Sequence, residues 1–374
     1  MKIIKLFIVF LCFTIILCGC SSKSSKITIQ FASWGSKSEI DILKPIIKEF
    51  ENKNPDIRVD FMHIPQNYFQ KIHLLFASNT PPDVIFINNL YLPIYANAGL
   101  LEELEIPTGY YKQAIDAFTY QDKLYAIPRD VSNLVIFYNK DLFNKKNVKY
   151  PDCDWNFNKF LETVKKLTDD NTFGINFEEE PMFYLPYLMS NGGGILPEEI
   201  AKKESKDALN FYSDLRNKYH VAPKKHESAS ATSAQMFLQG RLGMYISGRW
   251  MVPKLREEAN FDWDITQFPK GTKGSIVPLD ASGWAISKQS KHKKEALKFI
   301  NFLASDKNLI KFAKSGLIVP AKIETSKTII DNKLPKNSLI FLKIIETSKP
   351  TPVTTNYREI TDKLKKDLEG EFNR

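Results

Sequence analysis

Cysteine is scarce in this chain of 374 residues: there are four, and Cys12, Cys18 and Cys20 all fall within the first twenty positions. Only Cys153 lies in the remainder, with no partner thiol and no histidine context that would make it a nucleophile. Histidine is also sparse. His63, His73, His220, His226 and His292 show no metal-ligand spacing and no cysteine partners, which argues against a zinc site. The Gly-x-Ser-x-Gly elbow of an α/β hydrolase is missing. Gly192-Gly193-Gly194 lacks the six-residue dinucleotide pattern and a phosphate-loop lysine, so it reads as a turn. No ATP motif, internal repeat or long low-complexity segment is present, and no cofactor is expected. The one long apolar run, Leu6 to Leu17, is interrupted only by Thr14.

That run follows Lys2 and Lys5 and ends in Leu17-Cys18-Gly19-Cys20, ahead of a polar Ser/Lys stretch. It is a secretory signal, short for a membrane span. The Leu-x-Gly-Cys ending resembles a bacterial lipobox, which implies a signal over 1–19, lipidation of Cys20, and an anchored linker over 20–26. With Cys20 so modified, no intramolecular disulfide remains and stability must come from packing. Without Lys2 and Lys5 the formal charge falls from +9 to +7. The remaining lysines alternate with acids along helical stretches such as Lys159 to Asp170, the pattern of solvated faces, and nucleic acid is not an expected partner.

From Lys26 onward strand and helix patterns alternate. Ile27 to Phe31 has period two, and Ile40, Leu43, Ile46, Ile47 and Phe50 recur at helical spacing, with Pro45 expected to kink or split that helix. Val84-Ile85-Phe86-Ile87 has no alternation and reads as a strand buried on both faces. Leu134 to Tyr138, Phe173 to Asn176 and Leu242 to Ile246 read as further strands. A helix capped by Asn158 follows Trp155, and others cover Pro181 to Ser190, Glu198 to Tyr219, Ser338 to Glu346 and Arg358 to Glu369. Repeated strand–helix–strand units predict a doubly wound α/β architecture, and the length admits two cores.

In open α/β sheets ligands bind beyond the carboxyl ends of the strands. That rule selects Trp34 after the first strand, Asn88 and Asn89 after the Val84 strand, Arg129 and Asp130 after Ile127-Pro128, and Arg249 and Trp250 after Leu242 to Ile246. Trp284 and Tyr138 complete the candidate set. Indole faces suit the apolar faces of sugars, whereas planar amide, carboxylate and guanidinium groups suit their hydroxyls.

At these segments the chain resembles the extracellular solute-binding lipoproteins of bacterial ABC sugar importers, related to maltose-binding protein. The resemblance rests on Ala32-Ser33-Trp34, Thr80-Pro81-Pro82-Asp83-Val84, Ala96 to Leu101, Lys123 to Pro128 and Phe137 to Phe143. It continues in Phe237 to Met244, Ser247-Gly248-Arg249-Trp250, Gly283 to Ser287 and the Lys294-Glu295-Ala296 helix. It implies a two-lobed, periplasmic-binding-protein-like fold with a hinge, each lobe a doubly wound sheet flanked by helices. Lobe 1 would comprise 27–127 plus 282–322, and lobe 2 would comprise 128–281 plus 323–374. Hinge crossings would fall near Pro128 to Val131, Leu279 to Gly283 and Pro320-Ala321.

The implied activity is binding, not catalysis. A sugar or oligosaccharide would be captured between the lobes and delivered to ABC permease subunits powered by a separate ATPase. The receptor would be a monomer, held by its N-terminal lipid on the outer face of the cytoplasmic membrane. By the same resemblance Trp250 is the first stacking candidate, then Trp34 or Trp284. Asn88, Arg129 and Asp130 would meet hydroxyls, and one of Glu178, Glu179 and Glu180, with Tyr184, would face the cleft. Arg129 and Arg249 leave a phosphorylated or acidic sugar open. The rival classes are a secreted glycosidase, for which Glu178, Glu180 and Asp280 offer carboxylates, and a non-transport surface lipoprotein.

Overall fold

The structure is a computed structural model that describes residues 26–228 and 230–374. The predicted signal and Cys20 lie outside the described residues. Ten strands carry the architecture: β1 (Ile27–Ser33), β2 (Ile57–His63), β3 (Val84–Asn88), β4 (Ile127–Asn133), β5 (Val135–Asn139), β6 (Met244–Ser247), β7 (Trp263–Thr266), β8 (Pro278–Ile286), β9 (Val319–Pro320) and β10 (Lys349–Pro350). The helices that matter for the site are α1 (Lys37–Lys53), α2 (Tyr68–Ala77), α3 (Phe157–Leu167), α4 (Pro181–Asn191), α5 (Lys203–Asn217), α6 (Lys293–Leu303), α7 (Asp306–Lys314) and α8 (Tyr357–Phe372).

The chain builds two apolar cores, as expected for a two-lobed α/β protein. In the first lobe, β2, β1 and β3 run parallel and β8 joins β3 in antiparallel register. The unbroken apolar run of β3 is buried throughout, with helices on both faces of the sheet. Phe31, Phe50, Phe86 and Trp284 fill this core against Phe299 of α6. The second lobe is organised around the antiparallel sheet β6-β5-β7. There Phe137, Trp155, Tyr187, Tyr212, Trp263 and Phe372 interlock with α3, α4, α5 and α8.

Three strands pass between the cores side by side. The order β9-β4-β8 is antiparallel throughout, with Val131 opposite both Val319 and Ala281. The β4–β8 register shifts between Ser282 and Gly283. A Cβ at Gly283 would lie 2.4 Å from the Ile127 carbonyl oxygen, so only glycine permits this approach.

Several local expectations are corrected. The first helix runs unbroken through Pro45, whose ring sits on the exposed face, where water can take the carbonyl it leaves unpaired. Its N-cap is Ser36, whose hydroxyl accepts the Glu39 N–H at 3.3 Å. Asn156, not Asn158, caps α3 by accepting the Lys159 N–H at 3.1 Å. Phe173 to Asn176 makes a single bridge, Phe173 to Leu242, rather than a strand. The Glu198–Tyr219 helix is broken at Ala201-Lys202, separating Pro197–Ile200 from α5.

Candidate functional site

The strand-end residues assort into braces and exposed faces. Asn89, 2% exposed, turns inward and ties β3 to β8. Its Oδ1 accepts the Ala281 N–H at 2.9 Å, and its own N–H donates to the Ala281 carbonyl at 3.1 Å. Its Nδ2 donates to Asp280 Oδ1 at 3.3 Å. Asn88 is half-buried, and its Oδ1 accepts the Tyr91 N–H at 3.2 Å, turning the chain so that Tyr91 caps the end of the strand.

Arg129 and Asp130 are buried together. Arg129 Nε donates to Asp130 Oδ2 at 2.5 Å, and Nη1 donates to the Glu39 carboxylate on α1. The guanidinium lies 4.3 Å from the centre of the Phe86 ring and 5.3 Å from that of Phe312. Burial disfavours its charge, but the two carboxylates outweigh burial and raise its pKa. In this structure the pair braces the strand crossing to α1, and its hydrogen bonds are satisfied from within, unlike the ligand contacts predicted.

Arg249 is likewise turned in, 4% exposed. Its Nε donates to the Ile318 carbonyl at 2.9 Å and its Nη2 to the Ala313 carbonyl at 3.3 Å, at the C-terminal end of α7. A cation there complements the negative end of the helix. Burial and the nearby Arg256 pull its pKa down to about 10, and Nη1 has no partner among the described residues. Its neighbour Trp250 does the opposite. At 41% exposed it lies on a short 3-10 turn after β6, its indole laid over Gly248, where a Cβ would come within 1.9 Å of the ring.

Trp284 and Tyr138 do not reach the surface. Trp284 is 1% exposed and packs on Phe86, ring centres 6.1 Å apart, in the first core. Its strand alternation points it away from the crossing side. Tyr138 is at the far end of β5, buried against Phe143 and Tyr150. Tyr184, also expected near the cleft, is buried against Tyr212 and Phe372. Trp34 remains half-buried at the head of an aromatic row. It packs against Phe86, Tyr68 and Phe69, and Phe69 stacks on Tyr91 at 3.6 Å and 10°.

Tyr91 leads to a space between the lobes. Leu90, Tyr91 and Ile94 of the first lobe face Glu180, Pro181, Met182, Tyr357, Arg358 and Asp362 of the second across a hollow of about 360 Å³. Past Tyr91 and Arg358 it opens towards Phe69, Gln70 and His73 of α2. Burial and the facing Arg358 lower the His73 pKa. Of the three adjacent glutamates, Glu180 lines this space, with its carboxylate 2.5 Å from Lys365 Nζ. Glu179 is engaged by Arg216 and Lys225. An aromatic face on each wall with polar groups between them is the composition that holds a polyhydroxylated ring.

Tyr91, Tyr357 and Arg358 were missed by sequence reasoning. The strand-end rule stopped at Asn89, two residues short of Tyr91. The helix after the Lys349–Thr355 break read as a closing element, although its first turn faces the other lobe.

Comparison with known proteins bears on the family and the fold. The galactooligosaccharide-binding protein of Bacillus subtilis is 25% identical over 365 residues, covering 91% of this chain and 83% of the relative. The multiple sugar-binding protein of Streptococcus mutans is 26% identical, covering 78% and 74% of the two chains. An ABC substrate-binding protein of Listeria monocytogenes, solved in complex with cycloalternan, superimposes with a TM-score of 0.84 at 28% identity, covering 92% of this chain and 94% of that one. The maltotriose-binding protein of Thermus thermophilus shares the fold, with a TM-score of 0.76 at 23% identity and coverage of 93% and 94%. Residues 36–310 match the bacterial extracellular solute-binding protein family, and the chain belongs to that family.

Proposed function

We propose that this chain is the saccharide receptor of an ABC importer, closing its lobes about a sugar or oligosaccharide in the hollow between Tyr91 and Tyr357. The observation that carries this reading is the pairing of aromatic faces, Tyr91 and Tyr357, from opposite lobes across one hollow, in a molecule whose cores are joined by side-by-side strands. The sugar ligands named for the Bacillus, Streptococcus and Listeria proteins support the ligand class. Trp250, Trp34 and Asn88 remain candidate contacts, joined by Tyr91, Tyr357, Arg358 and Glu180. The lobes divide at 27–127 plus 282–322 and 128–281 plus 323–374; the two cores follow this division except at Ala114, Ala313, Val319 and Ala321, which pack in the second core, and Ala281, which packs in the first. Lipidation at Cys20 holds a monomeric receptor at the outer face of the membrane, beside permease subunits whose ATPase is a separate protein. Affinity follows from how far the ligand favours the closed state over the open one.

The test is calorimetric titration of residues 21–374 with neutral di- and trisaccharides of glucose, galactose and N-acetylglucosamine, with product chromatography alongside. Saturable binding without turnover is expected. Release of shorter sugars would make the protein a glycosidase, and silence across the panel would end the receptor reading.

A further inference from the structure

The positive surplus of this chain is gathered on one stretch of the first lobe. Residues 282–322 carry nine lysines, no arginine and two acids, Glu295 and Asp306, a surplus of seven that equals the net charge of the whole chain after Lys5. Within that stretch α6 presents two faces. Ala296, Phe299, Ile300 and Leu303 are buried against the sheet, whereas Lys294, Leu297, Lys298 and Asn301 recur at i, i+3, i+4 and i+7 on the exposed side. Lys291, just ahead of the helix, is exposed as well. Lys291, Lys294 and Lys298 have no ion-pair partner among the described residues, and Glu295 is the single acid of the helix. The lysines that flank them are only partly neutralised. Lys288 and Lys293 share Glu102, at 3.6 and 2.8 Å, while Lys53, Lys307 and Lys311 share Glu49, at 3.0, 2.6 and 3.3 Å.

The sheet fixes where this face lies. Strand β8 ends at Ile286, opposite Val84, the first residue of β3. The chain is tied there by the Ser287 N–H, which donates to the Asp83 carbonyl at 3.0 Å, and by Ser290 Oγ, which donates to Asp83 Oδ1 at 2.5 Å. Lys291 therefore lies at the end of the first lobe opposite the hollow, which opens beyond the other end of β3 at Leu90 and Tyr91. The N-terminal segment enters at the same end as Lys291. The Ile27 N–H donates to the Asp56 carbonyl at 2.9 Å, just past α1. The last turn of α1 in turn holds α6, with the Phe50 ring and Lys53 Nζ each 5.4 Å from the centre of the Phe302 ring. Six residues, Ser21 to Lys26, span at most ~20 Å. A lipid on Cys20 would bring this end of the lobe to the membrane, and not the hollow.

We propose that the exposed face of α6, with Lys291, Lys294 and Lys298 beside Leu297, is a docking surface for the anionic phospholipid headgroups of the membrane that carries the receptor. This rests on the anchored-receptor reading for the leash, and on the placement of charge for the contact itself. A negative membrane surface attracts lysines that come within a Debye length of it, about 8 Å at physiological salt. Leu297, 39% exposed, and the aliphatic stems of the lysines supply apolar contact at headgroup depth. A lipid on the leash holds the protein without orienting it, and the lysine face sets the orientation. So docked, the first lobe rests on the membrane and the hollow is turned to the medium, where ligand arrives. A hold made of a few screened charges is weak enough to release when the closed receptor turns to its permease.

The experiment uses residues 21–374, which carry no lipid, in flotation with vesicles of phosphatidylcholine alone or mixed with phosphatidylglycerol. The wild type should float with the mixed vesicles at low salt and not with phosphatidylcholine alone, and high salt should release it. The triple variant Lys291→Gln/Lys294→Gln/Lys298→Gln should weaken vesicle binding at least tenfold, since each lysine contributes roughly fivefold. Its melting midpoint and its affinity for the neutral saccharides should be unchanged. Lys166→Gln/Lys202→Gln/Lys206→Gln removes the same charge from exposed lysines of the second lobe and should leave vesicle binding nearly unchanged. Equal losses in the two triple variants would make the binding a matter of net charge and overturn the face. Competition by free glycerol phosphate at the same phosphate concentration would make it a discrete phosphate site and overturn the surface. A wild type that ignores anionic vesicles would overturn the proposal outright. Saccharide binding without vesicle binding would remove this inference alone. Vesicle binding with silence to every saccharide would remove the receptor reading and keep the lipid contact.

Discussion

Arg129→Met separates two roles for the same guanidinium. Methionine preserves much of the apolar stem between Phe86 and Phe312 but strands two carboxylates, Asp130 and Glu39, in a nearly dry site. Removing one partner of a buried ion pair costs about 3–5 kcal/mol, because the charge left behind has neither water nor a counterion. At roughly 2–4 °C per kcal/mol, the melting midpoint should fall by roughly 6–20 °C. The double variant Arg129→Met/Glu39→Gln removes one of the stranded charges and should recover ~1 kcal/mol or more, a coupling of the size expected for residues in contact. The pH dependence has a definite sign. Burial holds the Asp130 carboxyl above its ordinary pKa even with Arg129 present. The folded chain therefore binds that proton more readily than the unfolded chain, and its contribution to stability falls as pH rises through the raised value. Without Arg129 the raised value climbs further, so the deficit of Arg129→Met should shrink as the solution is taken from neutrality towards that value. Differential scanning fluorimetry across pH, with calorimetry on the neutral saccharide panel, reads both effects. A variant that keeps the wild-type midpoint but loses sugar affinity would refute the brace and restore Arg129 as a ligand contact.

The two tryptophans nearest the crossing strands should behave oppositely. Trp250→Ala should weaken a bound saccharide at least tenfold, a loss of ~1.4 kcal/mol, with the unliganded midpoint nearly unchanged. Trp284→Ala should cost about 3–5 kcal/mol of stability through the cavity it opens, measured by urea unfolding; the reverse pattern would exchange their assignments. Gly283→Ala forces a methyl against the Ile127 carbonyl and should cost about 1–3 kcal/mol. An unchanged unfolding midpoint would mean that β4 and β8 have slack at the register shift. Cys20→Ala should release the protein to the medium, checked by fractionation and immunoblotting, and retention at the membrane would undo the lipid anchor.

Local chemistry carried much of the fold. The unalternating Val84–Ile87 run could be satisfied only between two layers, and the apolar stripe of α1 needed a sheet to cover it, so both elements were legible without tertiary information. Pro45 misled because its effect depends on which face it occupies, and a proline on the wet face leaves a carbonyl that water can serve. The strand-end rule located the crossing region but could not tell a brace from a ligand contact. That distinction depends on partners far away in sequence. Arg129 is claimed by Glu39, ninety positions upstream, and Arg249 by the carbonyls of Ala313 and Ile318, more than sixty downstream. A guanidinium at a strand end looks the same from the sequence in either case. Asp280, open in the sequence as a loop charge, one binding carboxylate or a glycosidase acid, is held at one oxygen by Thr351 and Asn89, partners seventy-one positions downstream and 191 upstream. Those distant partners move weight from Arg129 and Arg249 to the aromatic faces the protein leaves partly exposed, Tyr91, Tyr357 and Trp250.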